Sequence, residues 1–467
     1  MAFLAAAALA WLGPPGSDLS AHEYQRWFFL EHGFSIWDNY WYSGRYVYVA
    51  YSWLAYPLAA LVGVKLLLAL SLGVAAAAFA VLVRHRPAAW AFAVVWGCFA
   101  LSAALPFALG VALGLLALVT LSYKPRGAAP RRAARLAGFA ALAALTWAAS
   151  PLALLLLAVV VAGLRRWAAA AVLLPLVVLQ FVLTQVYPNA GHFPFSWQEA
   201  GAAALFSVAA IALARGRLRG VFVAWLGLIA LSFLFPSQLG ENAARLRFMA
   251  LPLALLVLRG RPLRVVLPLA AVAAVYNLSP LAWSFEKGLD EQAEHASYWA
   301  PAIAFLQAHA DPNFRVNALD TVGHWEAYHL PRHGIPITRG WYRQDDFPQN
   351  ELLYDDDTTP REYAAWLHQQ GVRYVLVPRT RLDYSSKHEP ELVRAVARRV
   401  ARAGDVTIYE LPRPEPIVPG ARALQLTHNS LTIRTTRSGR YVVSIRKGAG
   451  RRVWDAPGAG TFTLELP

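Results

Sequence analysis

The stretch "GSDLSAHEYQRWF", residues 16–28, puts Asp18, His22, Glu23 and Arg26 within nine positions, directly after an apolar N-terminal run. A carboxylate can take a proton from a hydroxyl, and a neighbouring guanidinium can hold an anion. With a helix over 19–31, Asp18 and His22 are four apart and share a face, and Arg26 follows on the same stripe. Glu23 is displaced by one residue, toward Trp27. Asp18 also stands where a helix N-cap is expected, which alone would account for an aspartate there. An ionisable residue at the lip of an apolar span is equally a functional candidate, and both readings stay open. The catalytic candidates are therefore Asp18, Glu23 and His22.

A second cluster lies in "PSQLGENAARLRF", 236–248, where Arg245 and Arg247 precede an apolar run. Snorkelling at an interface explains such residues, but arginine forks also suit phosphate oxygens. With Arg26 and Arg45 they form the candidate set for a lipid phosphate. The loop "YPNAGHFPFSWQE" adds His192 and Glu199. Eight aromatic residues crowd positions 37–53. They read either as an interfacial belt or as rings that stack on sugars, with Trp37, Trp41, Tyr42 and His192 the candidates for sugar or acceptor contact. In "GHWEAYHLPRHG", His324, His329 and His333 lack a standard zinc spacing, so no metal ligand is assigned. The sequence holds no phosphate-binding Gly-rich loop, no GxSxG and no HExxH.

These residues sit in a chain built for lipid. Of 467 residues 57% are hydrophobic and only 15% charged, against roughly 25% charged in soluble proteins. Residues 1–276 contain just six acidic side chains: Asp18, Glu23, Glu31, Asp38, Glu199 and Glu241. The other 22 of the 28 follow from Glu286 onward. The net charge of +15 does not point to nucleic acid, because in the first half the basic residues form short clusters between apolar runs. A single cysteine, Cys98, rules out an intramolecular disulfide.

Apolar runs fall at 2–13, 64–83, 88–104, 106–122, 136–149, 151–164, 167–186, 200–214, 220–235, 246–258 and 265–279. Every second junction is basic: Arg84–Arg86, Lys124–Arg135, Arg165–Arg166, Arg215–Arg219 and Arg259–Arg264. The others hold the six acids and Pro106, Pro151, Pro188 and Pro236. The positive-inside rule makes the basic junctions cytoplasmic. This predicts a polytopic α-helical membrane protein with about 11 transmembrane helices, its N-terminus inside and its tail outside. The transmembrane domain covers 1–280, with an outer loop at 14–63.

The tail reads as two parts. Over 281–412, strands at "FRVNAL", "RYVLVP" and "VTIYEL" alternate with helices at 297–309, 360–370 and 389–403, an extracytoplasmic α/β domain. "YDDDTTPREYAAWL" carries a helix start, with Thr359 as cap, Pro360 in the first turn and Glu362 three on. Over 413–467, after "PRPEPIVPG", "SLTIRTTRSGRYVVSIRK" predicts two strands around Ser438-Gly439 and "GTFTLELP" another. This is a β-rich, sandwich-like terminal module.

The segments "DLSAHEYQRWFFLEHGFSIWDNYWYSG", "YSWLAYPLAALVG", "YAAWLHQQGVRYVLVP" and "GHWEAYHLPRHGIPITRGWYRQ" carry a resemblance. The chain resembles actinobacterial members of the multispan membrane proteins labelled 6-pyruvoyl-tetrahydropterin-synthase-related, and their YfhO-like relatives. No pterin chemistry follows, because the chain has no metal triad for it. These families are similar in layout to GT-C glycosyltransferases, in which an acid of the first outer loop acts as base or holds a metal. That resemblance puts Asp18, then Glu23, in the place of the base and Arg245 or Arg247 near the lipid phosphate. It implies a polyprenyl-phosphate-linked sugar as donor, an envelope glycan or glycolipid as acceptor, and a plasma-membrane location. The chain lacks the adjacent acids or DxD common in that loop, which leaves the cofactor open, a divalent cation being the candidate. The rival expectation is a non-catalytic protein that binds glycolipid and assists envelope assembly or export. A transporter is disfavoured by the absence of an inverted repeat or a mid-span charge.

The topology is directly measurable. An alkaline phosphatase fused after Glu465 is expected to be active, and one fused within 215–219 inactive. The reverse pattern would invert the assignment.

Overall fold

The structure, a computed structural model, describes residues 1–122, 130–189, 191–447 and 450–466. The chain forms two compact units. The first comprises Met1–His22, Tyr48–Val186 and His192–Leu289, and the second Glu23–Val47, Tyr187–Gly191 and Asp290–Pro467.

The helices of the apolar half are α1 (Ala2–Leu12), α2 (Leu19–His32), α3 (Ala55–Val62), α4 (Val64–Val83), α5 (Arg86–Cys98), α6 (Leu105–Ser122), α7 (Pro130–Ala149), α8 (Pro151–Gly163), α9 (Trp167–Val186), α10 (Trp197–Leu213), α11 (Arg217–Leu234), α12 (Ala250–Val257) and α13 (Leu263–Gly288). Each of the eleven apolar runs carries one of these helices. Among the described residues five of them, α4, α6, α9, α11 and α13, are long and apolar enough to cross a membrane. Chains of this composition belong in a membrane, where helices satisfy every backbone group internally. The outward sides of α9 and α13 fit that solvent, with Leu174, Phe181, Val272 and Val275 exposed.

Local chemistry sets the breaks. Ser150 caps α8, its hydroxyl accepting from the Ala153 N–H at 3.3 Å, with Pro151 in the first turn. Ser196 caps α10 through the Glu199 N–H at 3.2 Å. Buried Ala117, Phe139, Ala143, Leu154, Leu157, Val161, Ala169 and Leu173 give α6, α7, α8 and α9 one core. Two runs differ from expectation. The run at 246–258 is α-helical only over Ala250–Val257, because Gly240–Met249 winds as a 3₁₀ helix. The run at 265–279 continues to Gly288, so that Lys287 lies in the last turn. The expected basic junction Lys124–Arg135 lies mostly outside the described residues.

The second unit opens with β1 (Trp37–Asp38) paired antiparallel to β2 (Arg45–Tyr46). It continues with α14 (Ala296–Ala308), β3 (Arg315–Ala318), α15 (Glu326–His329), α16 (Arg343–Asp346), α17 (Pro360–Gln370), β4 (Val372–Pro378), α18 (Glu389–Val396), β5 (Arg398–Ala403) and β6 (Val406–Glu410). The strands form a sheet of order β3-β4-β6-β5 in which only β3 and β4 run parallel. Thr359 and Glu362 form the expected capping box of α17.

The helix expected over 389–403 is a correction. It ends at Val396, Ala397 is extended, and "RRVARA" pairs with β6 as an edge strand. Its alanines and arginines favour helix locally, but strand pairing in the tertiary fold outweighs that small preference.

The terminal module has β7 (Arg422–Leu426), β8 (Ser430–Thr435), β9 (Gly439–Lys447), β10 (Gly450–Ala456) and β11 (Gly460–Glu465). The strands on either side of Ser438-Gly439 do not pair with each other. β8 joins the sheet β11-β8-β7, whereas β9 pairs with β10. The chain passes from one sheet to the other there, and Leu431, Ile433, Tyr441, Val443 and Ile445 form a common core with Trp37.

Truncating that core tests it. Ile433→Ala is expected to cost about 2–5 kcal/mol, read as faster hydrogen exchange across β7, β8 and β11. Unchanged exchange would refute the shared core.

Candidate functional site

Asp18 is held by its own backbone. The Ser17 N–H donates to the Leu101 carbonyl at 3.1 Å and the Asp18 N–H to the Ser102 carbonyl at 2.9 Å. Those carbonyls belong to the turn between α5 and α6, where Phe99–Leu101 tightens to 3₁₀ and Ala103 adopts φ +53°. Gly16 lets the two segments approach, since a Cβ there would stand 2.6 Å from the Ala103 methyl. The Asp18 carbonyl then accepts from the His22 N–H at 3.2 Å and starts α2.

The Asp18 side chain is buried, and no hydrogen bond reaches its carboxylate among the described residues. Burial pushes the carboxyl up to about 7, against the opposing pull of the cationic Arg245 and Lys287. It thus titrates near neutral pH, the range in which a carboxylate serves best as a base. His22 is fully buried, with Nδ1 3.3 Å from the Tyr56 hydroxyl and its ring 5.9 Å from that of Tyr51. Burial, reinforced by Arg245, pulls its imidazole down to about 3. His22 is therefore neutral beside Asp18 at ordinary pH.

The 3₁₀ winding of 240–249 separates the two candidate arginines. At three residues per turn, Asn242 and Arg245 share a face, and the Arg245 Nε–H donates to Asn242 Oδ1 at 2.8 Å. Arg247 points elsewhere: it pairs with Glu199 and lies over the Tyr276 ring, 4.7 Å from its centroid. Two contacts fix this segment. Gly240, at φ +42°, lies so close to Phe193 that the Phe193 carbonyl oxygen would stand 1.9 Å from any Cβ, and Trp225 Nε1–H donates to the Ala243 carbonyl at 2.8 Å. Arg245 is half-buried, its guanidinium 5.2 Å from the centre of the Phe107 ring.

The remaining candidates have structural partners. Glu23 and Arg26 form an i,i+3 ion pair at 3.8 Å. Arg45 is buried, its Nε–H donating to Asp345 Oδ2 at 2.8 Å over the Tyr342 ring. The rings expected to stack on sugars are covered. Trp37 belongs to the core of the terminal module. Trp41 stacks on Tyr24 at 4.3 Å and donates to the Ala327 carbonyl at 2.8 Å. Tyr42 donates to the Tyr342 carbonyl at 2.9 Å. As placed, none of the three offers an open face to a sugar. His192 is half-buried, next to Phe193, whose N–H donates to the Ser237 carbonyl at 2.9 Å.

Sequence reasoning missed Lys287, because the apolar run stops before the helix does. It also missed Asp38, a buried carboxylate of the second unit. Asp38 accepts from the Tyr24 hydroxyl at 3.1 Å and the Tyr40 N–H at 2.9 Å, and burial raises it to about 6.

A lone carboxylate with two cations acting on it, as at Asp18, is a poor host for a divalent ion. The three histidines of "GHWEAYHLPRHG" do not converge either. His329 Nε2 meets the Glu294 carbonyl at 2.9 Å and His333 Nδ1 the His329 carbonyl at 2.8 Å. His324 groups instead with Asp320 and Glu326, all buried, their ligand atoms within 4.8 Å of one another. One imidazole and two carboxylates would suit a zinc-type ion.

No family model and no curated protein matches the chain. Among solved structures it is similar to the cryo-EM structure of arabinofuranosyltransferase AftD from mycobacteria, at 18% identity and a TM-score of 0.46. The match covers 88% of this chain and 41% of that one, so the chain spans about two fifths of AftD's length. A likeness this distant assigns neither an activity nor a residue.

Asp18 predicts a pH-dependent stability. Its proton is held more tightly in the folded chain, so folding stability falls as pH rises from near 3.8 to about 7. Asp18→Asn is expected to raise the melting temperature at about pH 8 and to change it little at about pH 4. A loss of equal size at both pH values would refute the raised value.

Proposed function

We propose that this chain is a GT-C-type membrane glycosyltransferase that moves a sugar from a polyprenyl-phosphate donor to an envelope glycan or glycolipid on the outer face of an actinobacterial-type plasma membrane. The observation that carries the proposal is the Asp18 carboxyl, buried where its backbone docks on the α5–α6 turn, with Arg245 and Lys287 as the cations acting on it. It is a base poised near neutral pH in an electropositive setting.

In the proposed step the acceptor hydroxyl oxygen attacks the anomeric carbon and its proton passes to the Asp18 carboxylate. The bond from that carbon to the phosphate oxygen breaks, and the electron pair leaves with the lipid phosphate. Arg245 stabilises the charge developing there, and configuration inverts. Arg247, already paired with Glu199, positions the 3₁₀ segment rather than meeting the phosphate. The neutral His22 meets the Tyr56 hydroxyl and adds no further positive charge beside the base. The topology that goes with this reading places the N-terminus in the cytoplasm and the second unit outside.

The test is transfer from a synthetic polyprenyl-phosphate sugar by the detergent-solubilised chain, alongside envelope glycan profiles of cells. Asp18→Asn is expected to abolish transfer, and Arg245→Ala to lower it on the order of 100-fold. The wild-type rate is expected to rise with pH through about 7 as Asp18 ionises. Unchanged glycans with both folded variants would overturn this reading in favour of a non-catalytic assembly protein.

A further inference from the structure

Arg315, Arg446 and Arg451 of the second unit carry buried guanidinium nitrogens without the acceptors that buried guanidiniums require. Arg315, in β3, is fully buried; its Nη1–H donates to the Gln370 carbonyl at 3.1 Å, but Nε and Nη2 meet no acceptor. Arg446, in β9, is buried with none of its three guanidinium nitrogens bonded. Arg451, in β10, is half-buried, and its Nη1 has no acceptor. Among the described residues these three side chains therefore present six buried, unsatisfied nitrogens.

They belong to one place. Arg446 and Arg451 are register partners in the antiparallel pair β9/β10, so their side chains leave the same face at the closest cross-strand spacing. Arg315 is tied to Arg446 through two residues. Gln370 accepts from Arg315 with its carbonyl and from the Ser43 hydroxyl with Oε1 at 2.8 Å, and the Ser43 carbonyl accepts the Arg446 N–H at 2.9 Å. The carboxylate that acts most on Arg446 is Asp345, already bonded to Arg45 at 2.8 Å. Like charges set directly opposite in a sheet repel, and a buried cation without a counter-charge is among the costliest arrangements a fold can carry. The mutual repulsion shows in the side chains themselves: burial and Arg451 pull Arg315 down to about 9, and burial and Arg446 pull Arg451 down to about 10.

We propose that Arg315, Arg446 and Arg451 form a binding site for a phosphate-type oxyanion, a group with several acceptor oxygens that planar guanidinium forks match in pairs. A single carboxylate offers too few lone pairs for six donors, and a tetrahedral phosphate offers enough. Arg451, the most exposed of the three, marks the side from which the anion enters. The bound group is a phosphate monoester, either free in solution or on a lipid headgroup. The site is independent of Asp18 and does not rest on the transferase reading.

The experiment is thermal unfolding of the full chain in detergent, titrated with inorganic phosphate and, for comparison, chloride at equal ionic strength. Phosphate is expected to raise the melting temperature progressively, as ligand linkage requires, and chloride to do nothing. Arg446→Gln and Arg451→Gln are each expected to weaken the apparent affinity at least about tenfold, whereas Arg422→Gln, on the exposed edge of β7, leaves it unchanged. Without phosphate, Arg446→Gln is expected to melt no lower than the wild type, because it removes an unpaired buried charge. Two further arms, a soluble sugar phosphate and vesicles containing phosphatidic acid, tell free phosphate from a lipid headgroup. The proposal is overturned by no phosphate-dependent shift, by an equal shift in the Arg446 and Arg451 variants, or by an Arg446→Gln chain that unfolds.

Discussion

The candidate site depends on how Asp18 is kept out of water. Two N–H groups, from Ser17 and Asp18, dock onto the carbonyls of Leu101 and Ser102, and Gly16 permits the approach. The backbone is thereby satisfied without help from the side chain. The carboxylate is left buried with no hydrogen bond among the described residues, so the low dielectric raises it to about 7 even with Arg245 and Lys287 acting on it. Had the carboxylate accepted bonds from the first turn of α2, they would have lowered its affinity for a proton. The same burial keeps His22 neutral. One physical cause thus makes a usable base of one residue and an uncharged neighbour of the other.

Cations divide by whether their charge is already spent. Arg247 is paired with Glu199, Arg45 with Asp345 and Arg26 with Glu23. Among the described residues Arg245 bonds to a neutral amide at its Nε and to no carboxylate. Its charge therefore remains available, and the 3₁₀ pitch of 240–249 is what points it away from the face of Arg247. In the second unit Arg315, Arg446 and Arg451 hold buried guanidinium nitrogens that meet no acceptor among the described residues, while Arg339 is bonded to Asp320 and Asp346 at 2.8 and 2.9 Å. Buried charge is therefore not uniform in meaning. Where it is paired it fastens the fold, and where it is not it leaves donors that the fold itself does not use.

Much of the layout was legible in the sequence, because apolar runs and their breakers act locally. Each apolar run became a helix, Pro106 and Pro151 opened helices where a break was expected, and the capping box at Thr359 formed. Strands at 315–318, 372–378 and 406–410 followed from β-rich composition. Local preference failed where long-range pairing decided. "RRVARA" became an edge strand against β6. The strands flanking Ser438-Gly439 went to different sheets. The aromatic rings of 37–42 became packing rather than an open surface.

The sequence by itself determined that the chain has an apolar helical half and a polar α/β and β-rich half, because periodicity and composition set those elements residue by residue. It also singled out Asp18 by position. Only the tertiary structure decided what Asp18 is chemically, since a carboxyl's proton affinity depends on its surroundings. Those surroundings are Ser102, Arg245 and Lys287, residues far apart in the chain. The same holds for Arg315, Arg446 and Arg451, whose unsatisfied donors no local pattern could reveal, because acceptors and counter-charges arrive through contacts that span hundreds of residues.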